Sequence, residues 1–368
     1  MPDDDAFTIG VEEEFLIVDP ESRRLRSQAE DILPEAQRDL GDNVEPEFKR
    51  SQLETGTPVC WTLEELRGEI VGLRRKLSAA AERTGARIAA AGTHPFSHRE
   101  GDDVTPKESY IGLERDYQRL AREKIICGCH VHVGMTDGDM AIQVMNRVRP
   151  WLGTILAPAV NSPFWLGEDT GYGSFRTEIW RRWPTSGTPG VLESYAEYEK
   201  LLCLLLDAAV IDDPARLFWD VRPSARFDTL EFRVTDVCLT VDDAVMVAGL
   251  IRALVRTCHQ QAERGEPCPL PPPELVQAAT WRAARYGLEG ELVDVVGGRS
   301  VPARQAVQAL LECIRPSAED QGEWDELSSL VGETLRRGTA AVRQRQACER
   351  SGRLEDVVDL VISETTPA

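Results

Sequence analysis

Gly10-Val11-Glu12-Glu13-Glu14-Phe15 decides the fold, because side chains two apart on an extended strand project from the same face of a sheet. Glu12 and Glu14 share a polar side, and Val11 and Phe15 take the other. The run lies inside an alternating stretch, residues 6–19, that Pro20 closes, so a strand is predicted. Two further stretches repeat the arrangement. His130 and His132 share one face of Cys129-His-Val-His-Val-Gly134, opposite Cys129, Val131 and Val133. Glu231 and Arg233 share one face of Leu230-Glu-Phe-Arg-Val234, opposite Leu230, Phe232 and Val234. Three strands, each with an apolar side and a chemically armed side, predict a one-faced antiparallel sheet backed by helices, in the α+β class.

Working outward, a strand is expected over 47–57, ending at Pro58 and carrying Glu47 and Glu54. Their spacing of seven puts them on opposite faces unless a bend intervenes, which makes Glu54 the better candidate of the two. Thr62 caps a helix: Glu65 follows three residues later, and Leu63, Leu66, Ile70, Leu73 and Leu77 recur at the helical period. Strands are predicted over 87–91, 125–134 and 229–235. Helices are predicted over 115–123, 140–159 with a break at Pro150, 192–209, and 241–263 behind Thr240. A polar loop, 161–190, holds eight glycines and prolines among thirty residues, and loops of that length commonly serve function. Residues 265–273 contain five prolines and read as a connection to a mostly helical part, 274–368. No internal repeat is visible, and residues 1–368 are read as a single catalytic domain.

The chain has 368 residues, 42% of them hydrophobic, enough for a sizeable core. Its formal charge of −20 opposes nucleic acid and anionic membrane surfaces. The acidic start, Met1 to Asp5, lacks the basic and apolar parts of a secretory signal, and the most apolar stretches are interrupted by Asp207 and Arg252. A cytoplasmic protein is expected, its nine cysteines reduced. Cys127 and Cys129 have no second pair at zinc spacing. Oligomeric state has no signature in the sequence, although a homodimer is the common choice for soluble enzymes.

Magnesium takes oxygen ligands in near-octahedral geometry, and clustered carboxylates with an imidazole beside substrate phosphates suit it. Glu12, Glu14, Glu231 and His130 supply that set, with Glu54 and Glu47 on another candidate strand. Taken singly, each pair has a plainer reading: solvated carboxylates, a histidine pair near a sheet edge, a cross-strand salt bridge. All three at strand spacing in one chain favour a site.

Gly10-Val-Glu-Glu-Glu-Phe15, Ser51-Gln-Leu-Glu-Thr55, Ala91-Gly-Thr-His-Pro-Phe96, Cys127-Gly-Cys-His-Val-His-Val-Gly134, Asn161-Ser-Pro-Phe-Trp165, Leu230-Glu-Phe-Arg233 and Arg285-Tyr-Gly-Leu288 together resemble, in that order, the bacterial glutamate-cysteine ligase and carboxylate-amine ligase family. Some of these elements are also similar to those of glutamine synthetase. The resemblance implies a curved antiparallel sheet forming an active-site funnel, with two or three Mg2+ (or Mn2+) between ATP phosphates and carboxylates. It implies that Glu12, His130 and Glu231 hold the ion nearer ATP, and that Glu14, Glu54 and Glu47 hold the one nearer the carboxylate substrate. His132 and Arg233 would face phosphate oxygens, with Arg222 and Arg226 as further ATP-binding candidates. The reaction implied is ATP-dependent joining of glutamate to an amine, cysteine or another amino acid, through a γ-glutamyl phosphate.

The loop arginines Arg176, Arg181 and Arg182, with Trp183, are candidates to cover the site, and Arg176 and Arg182 to clamp a substrate carboxylate. Solvated surface arginines are the alternative. His94 either lines the site or fixes a turn, and His98 and His259 are read as ordinary. Trp165, Trp180, Trp183 and Trp219 are expected to pack the loop rather than stack adenine. Two other enzyme classes remain open: a phosphotransferase of the guanidino-kinase type, and a metal-dependent hydrolase using His130 and His132.

Overall fold

A computed structural model describes residues 7–97 and 103–366. The acidic start, the first residue of the strand predicted over 6–19, and His98 lie outside the described residues. The strands run in chain order β1 (Ile9–Val18), β2 (Val44–Pro46), β3 (Gln52–Gly56), β4 (Arg87–Ala89), β5 (Gly128–Gly134), β6 (Phe164–Trp165), β7 (Glu168–Asp169), β8 (Val221–Pro223), β9 (Thr229–Asp236), β10 (Glu291–Asp294) and β11 (Arg299–Pro302). The helices are α1 (Ala29–Leu40), α2 (Leu63–Arg83), α3 (Glu108–Tyr117), α4 (Arg119–Glu123), α5 (Gly138–Val148), α6 (Leu152–Leu156), α7 (Phe175–Trp180), α8 (Tyr195–Asp207), α9 (Val241–Glu263), α10 (Pro273–Tyr286), α11 (Ala303–Asp320), α12 (Trp324–Arg337), α13 (Ala340–Ser351) and α14 (Leu354–Thr365).

Among the described residues, one seven-stranded sheet has the order β2-β3-β1-β5-β9-β8, with β4 joined to the far half of β1. Every pairing in it is antiparallel. Strand β1 lies in the middle because its ten residues are long enough to pair with β5 at one end, β4 at the other, and β3 on the opposite edge.

The apolar side chains foreseen in β1, β5 and β9 are buried: Val11, Val131, Val133, Leu230, Phe232 and Val234 are all at most 3% exposed. They share one core with α9, whose Met246, Leu250 and Leu254 are fully covered. Each such side chain contributes about 1.5–3 kcal/mol by leaving water. A capping box starts α9: Thr240 accepts from the Asp243 amide while the Asp243 carboxylate accepts from Thr240 N. The same core continues through Leu292 of β10, Leu310 of α11, Val331 of α12 and Ala341 of α13.

Glu13 points into this apolar side between Val11 and Phe15, and it survives there because Arg74 of α2 reaches it. The guanidinium also donates to the carbonyls of Cys238, Leu239 and Thr365. The pair ties β1, α2, the entrance to α9 and the end of α14 to a single point.

Some boundaries differ from the sequence reading. Of the strand expected over 47–57 only β3, Gln52–Gly56, forms; Glu47 to Ser51 make the bend that joins it to β2, which precedes the expected start. The helix expected over 115–123 breaks at Gln118, which has a positive φ of 49°. Strand β5 begins at Gly128 rather than 125, and the mostly helical C-terminal part includes the β10-β11 hairpin. The break at Pro150 is present as a short 3-10 turn between α5 and α6. No helix among the described residues is long and apolar enough to cross a membrane.

Candidate active site

The polar face of the sheet is ordered by register. Glu14 of β1 lies opposite Glu54 of β3, which in turn lies opposite Glu45 of β2. Glu12 of β1 lies opposite His130 of β5. His132 of β5 lies opposite Glu231 of β9, itself opposite Arg222 of β8. Pairing between β5 and β9 shifts between Cys129 and Val131, so that Arg233 and Val234 together face His130 alone. A bulge of this kind re-aims a side chain next to a site.

These rows floor a cleft of about 260 Å³, lined by Glu12, Glu14, Glu47, Glu54, His130, His132, Arg222, Arg226, Glu231 and Arg233. A contiguous opening of about 360 Å³ shares Glu12, Glu54, Lys107, His132, Arg226 and Phe227 and extends past Gly10, Asn43 and Thr57. Two groups of donor atoms stand out. Glu12, His130 and Glu231 bring theirs within 4.8 Å of one another, and so do Glu14, Glu47 and Glu54. The bend between β2 and β3 resolves the odd spacing, since Glu47 lies off the strand and turns back to the face that Glu54 occupies.

Electrostatics separate the two groups. Burial alone would neutralise Glu12, but hydrogen bonds and charge from His130 and His132 outweigh it and hold the carboxyl well below its usual range. His130 Nδ1 is 3.2 Å from Glu12 Oε2, and His132 Nε2 is 3.4 Å from Oε1. Burial also opposes the charge on Glu231, and the guanidiniums of Arg233 and Arg222 overcome it and keep the carboxyl ionised. Arg222 Nε is 2.9 Å from Glu231 Oε2, and Arg233 pairs with Oε1. The His130 ring is pushed down by burial and then by Arg233, which favours the neutral imidazole that metals bind. Glu54 goes the other way: burial and the carboxylates of Glu12, Glu47 and Glu14 push it well above its usual range. Oxygen-rich donors crowded until one resists ionisation are the set that a hard divalent cation relieves, so the residues present fit such ions.

Two residues that sequence reasoning missed complete the second group. Lys124, buried beyond the end of α4, places Nζ 3.0 Å from Glu47 Oε1 and lies over the rings of Phe48 and Trp180. Tyr110 of α3 reaches the other Glu47 oxygen at 3.3 Å. No local motif marks either; the only signal is Lys124's position just ahead of the histidine strand. The Gly128 amide donates to Glu14 Oε2 at 2.5 Å, and the Arg176 guanidinium occupies the space a side chain at 128 would fill.

The loop 161–190 is more structured than a polar linker. It contains the β6-β7 hairpin and α7, and Asp236 at the end of β9 grips it. That carboxylate accepts from Asn161 N, Ser162 Oγ and Ser174 Oγ, each at 2.7 Å. Its contribution to the cleft lining is Trp180 and Trp183, which also pack against Phe218.

Three of the candidate substrate residues are not in the cleft. Arg182 follows α7 on the outer surface and pairs with Glu123, because the turn there directs it away from the sheet. Arg176 is buried behind Gly128, donating to the Arg233 carbonyl. His94 fixes a turn: its Nδ1 accepts from the amides of Phe96 and Ser97, and its Nε2 bonds to the Arg23 carbonyl. Burial pushes its pKa down to about 4. Cys127 and Cys129 are buried thiols and belong to neither donor group.

The model of "Glutamate-cysteine ligase family 2" matches residues 8–359, a span containing both donor groups and Arg233. The chain belongs to that family. It is accordingly an ATP-dependent carboxylate–amine ligase. A relative from Frankia alni, named "Putative glutamate--cysteine ligase 2-2", is 44% identical over 373 residues, covering 98% of this chain and 97% of its own length. Among solved structures, the glutamate–cysteine ligase of Francisella tularensis in complex with AMP superposes with a TM-score of 0.74 at 12% identity, covering 98% of this chain and 88% of that one. The bifunctional glutathione synthetase of Pasteurella multocida superposes at 0.72 and 15% identity, covering 98% of this chain and 52% of its own. At these identities the likeness is one of fold: the helix-backed antiparallel sheet expected from the three armed strands.

Proposed function

We propose that the chain activates the γ-carboxylate of glutamate with ATP, as γ-glutamyl phosphate, and joins it to the amine of cysteine or another small amine. The observation that carries this reading is the pair of acidic donor groups on one sheet face, flanked by Arg222 and Arg233 in a single cleft.

A carboxylate is a poor acyl donor because oxide would have to leave. Transfer of the ATP γ-phosphoryl group makes phosphate the leaving group and releases ADP, and the amine then displaces phosphate with loss of a proton. Glu12, His130 and Glu231 would hold one divalent ion, Mg2+ or Mn2+, toward ATP, and Glu14, Glu47 and Glu54 a second toward glutamate, with Lys124 and Tyr110 fixing Glu47. When bound, such ions would supply neutralisation of phosphate and carboxylate charge. Arg233, oriented by Glu231, faces phosphate oxygens, while Arg222, whose Nη1 already donates to the Ala215 and Leu217 carbonyls, supports them chiefly by its charge, and His132 and Arg226 line the same route. Trp180 and Trp183 keep that end of the cleft apolar, which protects an acyl phosphate from water.

The test supplies ATP, Mg2+ and glutamate with a panel of amines and follows ADP and product mass. A γ-glutamyl amide is expected, and 18O in the γ-carboxylate should pass into inorganic phosphate. Turnover without ATP, which a hydrolase would show, or a stable phosphorylated product with no amine incorporated, would overturn the proposal.

A further inference from the structure

Trp180 is the last residue of α7, and its buried side chain lines the cleft and gathers three cations. Arg233 Cζ stands 5.4 Å from the ring centroid, and Lys124 Nζ and Arg176 Cζ each stand 5.7 Å from it. Like charges brought this close repel one another, and an aliphatic side chain at 180 would offer them nothing in return. Indole offers the negative face of its quadrupole, which among aromatic side chains attracts a cation best and acts within about 6 Å.

Two of these cations serve different halves of the site. Lys124 pairs with Glu47 of one donor group, and Arg233 pairs with Glu231 of the other. A carboxylate fixes only the tip of a long side chain. Arg233 meets Glu231 through Nη1, and among the described residues its buried Nε has no hydrogen-bond partner. The Trp180 ring is a second fixed point, and it is common to both cations. It is itself held in place. Its Nε1 donates to the Phe218 carbonyl at 3.2 Å, and the Phe218 ring packs on it edge-on at 5.2 Å. At the other end of α7, the Ser174 hydroxyl donates to Asp236 at the end of β9.

We infer that Trp180 is a positioning residue whose indole face fixes the separation of Lys124 from Arg233, and so sets the glutamate half of the cleft against the ATP half. The inference rests on the assignment of those halves in the proposed function. Trp180 also packs with Phe48, Leu113 and Trp183 in one apolar cluster. The two roles differ in what they demand, since packing needs apolar volume and positioning needs an electron-rich face.

Two substitutions separate them. Trp180→Phe keeps a face, whereas Trp180→Leu keeps only apolar volume. Trp180→Leu should lower kcat/KM for ATP and for glutamate together, each at least about tenfold, equivalent to about 1.4 kcal/mol. Trp180→Phe should stay within about threefold of wild type on both, with circular dichroism unchanged in each variant. Site-specific insertion of mono-, di- and trifluorotryptophan at 180 drains the face while hardly altering its shape, which keeps the question open to test even where Trp180→Leu fails to fold. The dissociation constant of β,γ-imido-ATP with Mg2+ should rise with each fluorine, to about tenfold at the third, and that titration needs neither turnover nor an amine. Equal rates for Trp180→Leu and Trp180→Phe, a loss confined to one substrate, or a flat fluorine series overturns the inference. A rising fluorine series in a chain that forms no γ-glutamyl amide with any amine would overturn the proposed function instead, and the hold of Trp180 on Arg233 would stand.

Discussion

Arg74 holds Glu13 from the apolar side of the strand that presents Glu12 and Glu14 on its other side, with Nη2 2.6 Å from Oε1 and Nε 3.0 Å from Oε2. Neither side chain has meaningful contact with water. The cleft's central strand is thus pinned from behind by an ion pair whose cation also caps three carbonyls.

Removing one member strands the other in a dry environment. Glu13→Gln or Arg74→Met should each cost about 3–5 kcal/mol in urea denaturation. The double replacement Glu13→Leu with Arg74→Met should recover part of that loss, because no uncompensated charge remains. A loss below about 1 kcal/mol in the single variants would show that water reaches the pair.

Glu12→Gln and Glu231→Gln change charge with little change in volume. Each should lower kcat/KM by about 10²–10³-fold, the scale of removing one preorganised electrostatic partner, with an unaltered circular dichroism spectrum. Unfolding of the variants would instead assign these carboxylates to the scaffold.

Treatment with EDTA should abolish ADP formation, and Mg2+ in excess should restore it. Glu54→Gln should require a higher Mg2+ concentration for half-maximal rate, since it deletes an oxygen charge from one donor group and leaves the other intact. Identical Mg2+ curves for wild type and variant would remove Glu54 from that role.

Arg182→Ala should change kcat/KM by no more than about twofold and stability by no more than about 0.5 kcal/mol, because its partner Glu123 lies on the outer surface. Arg233→Ala should cost several hundredfold or more. Comparable effects from the two arginines would mean that the loop moves Arg182 to the cleft during turnover.

His94 gives the chain an acid-sensitive turn. Its folded pKa of about 4 lies below the roughly 6.5 of an exposed imidazole, so between those values the unfolded chain binds the extra proton. Stability should therefore be intact above about pH 6.5 and fall as pH drops toward 4, by on the order of 3 kcal/mol from this group alone. His94→Asn keeps an acceptor for the Phe96 and Ser97 amides but does not titrate. The difference between the two proteins in unfolding free energy from urea titrations should narrow by about 2.5 kcal/mol from pH 7.5 to pH 4.5, and a constant difference would exclude the histidine.

Much of the site was legible because strand periodicity is rigid. Once Val11, Val131 and Phe232 are assigned to the core, Glu12, His130 and Glu231 have no other side to occupy. Register was not legible, since nothing local says that Glu12 lies opposite His130 or that two residues of β9 face one of β5. Glu47 was ambiguous for the same reason: its side depends on a bend whose geometry comes from tertiary packing. Lys124 and Tyr110 were invisible because an isolated lysine or tyrosine has no period. The loop arginines misled because their charge suggested anion binding, whereas their directions are set by α7, the turn after it, and the Asp236 clamp.

The Asp236 clamp joins the root of the loop that carries α7 to the strand that floors the cleft. Asp236 grips both ends of the Asn161–Ser174 segment and terminates the strand that carries Glu231 and Arg233. Because Asp236 fastens Asn161 and Ser162 at one end and Ser174 at the other, the β6-β7 hairpin between them hangs as a closed loop from the end of β9.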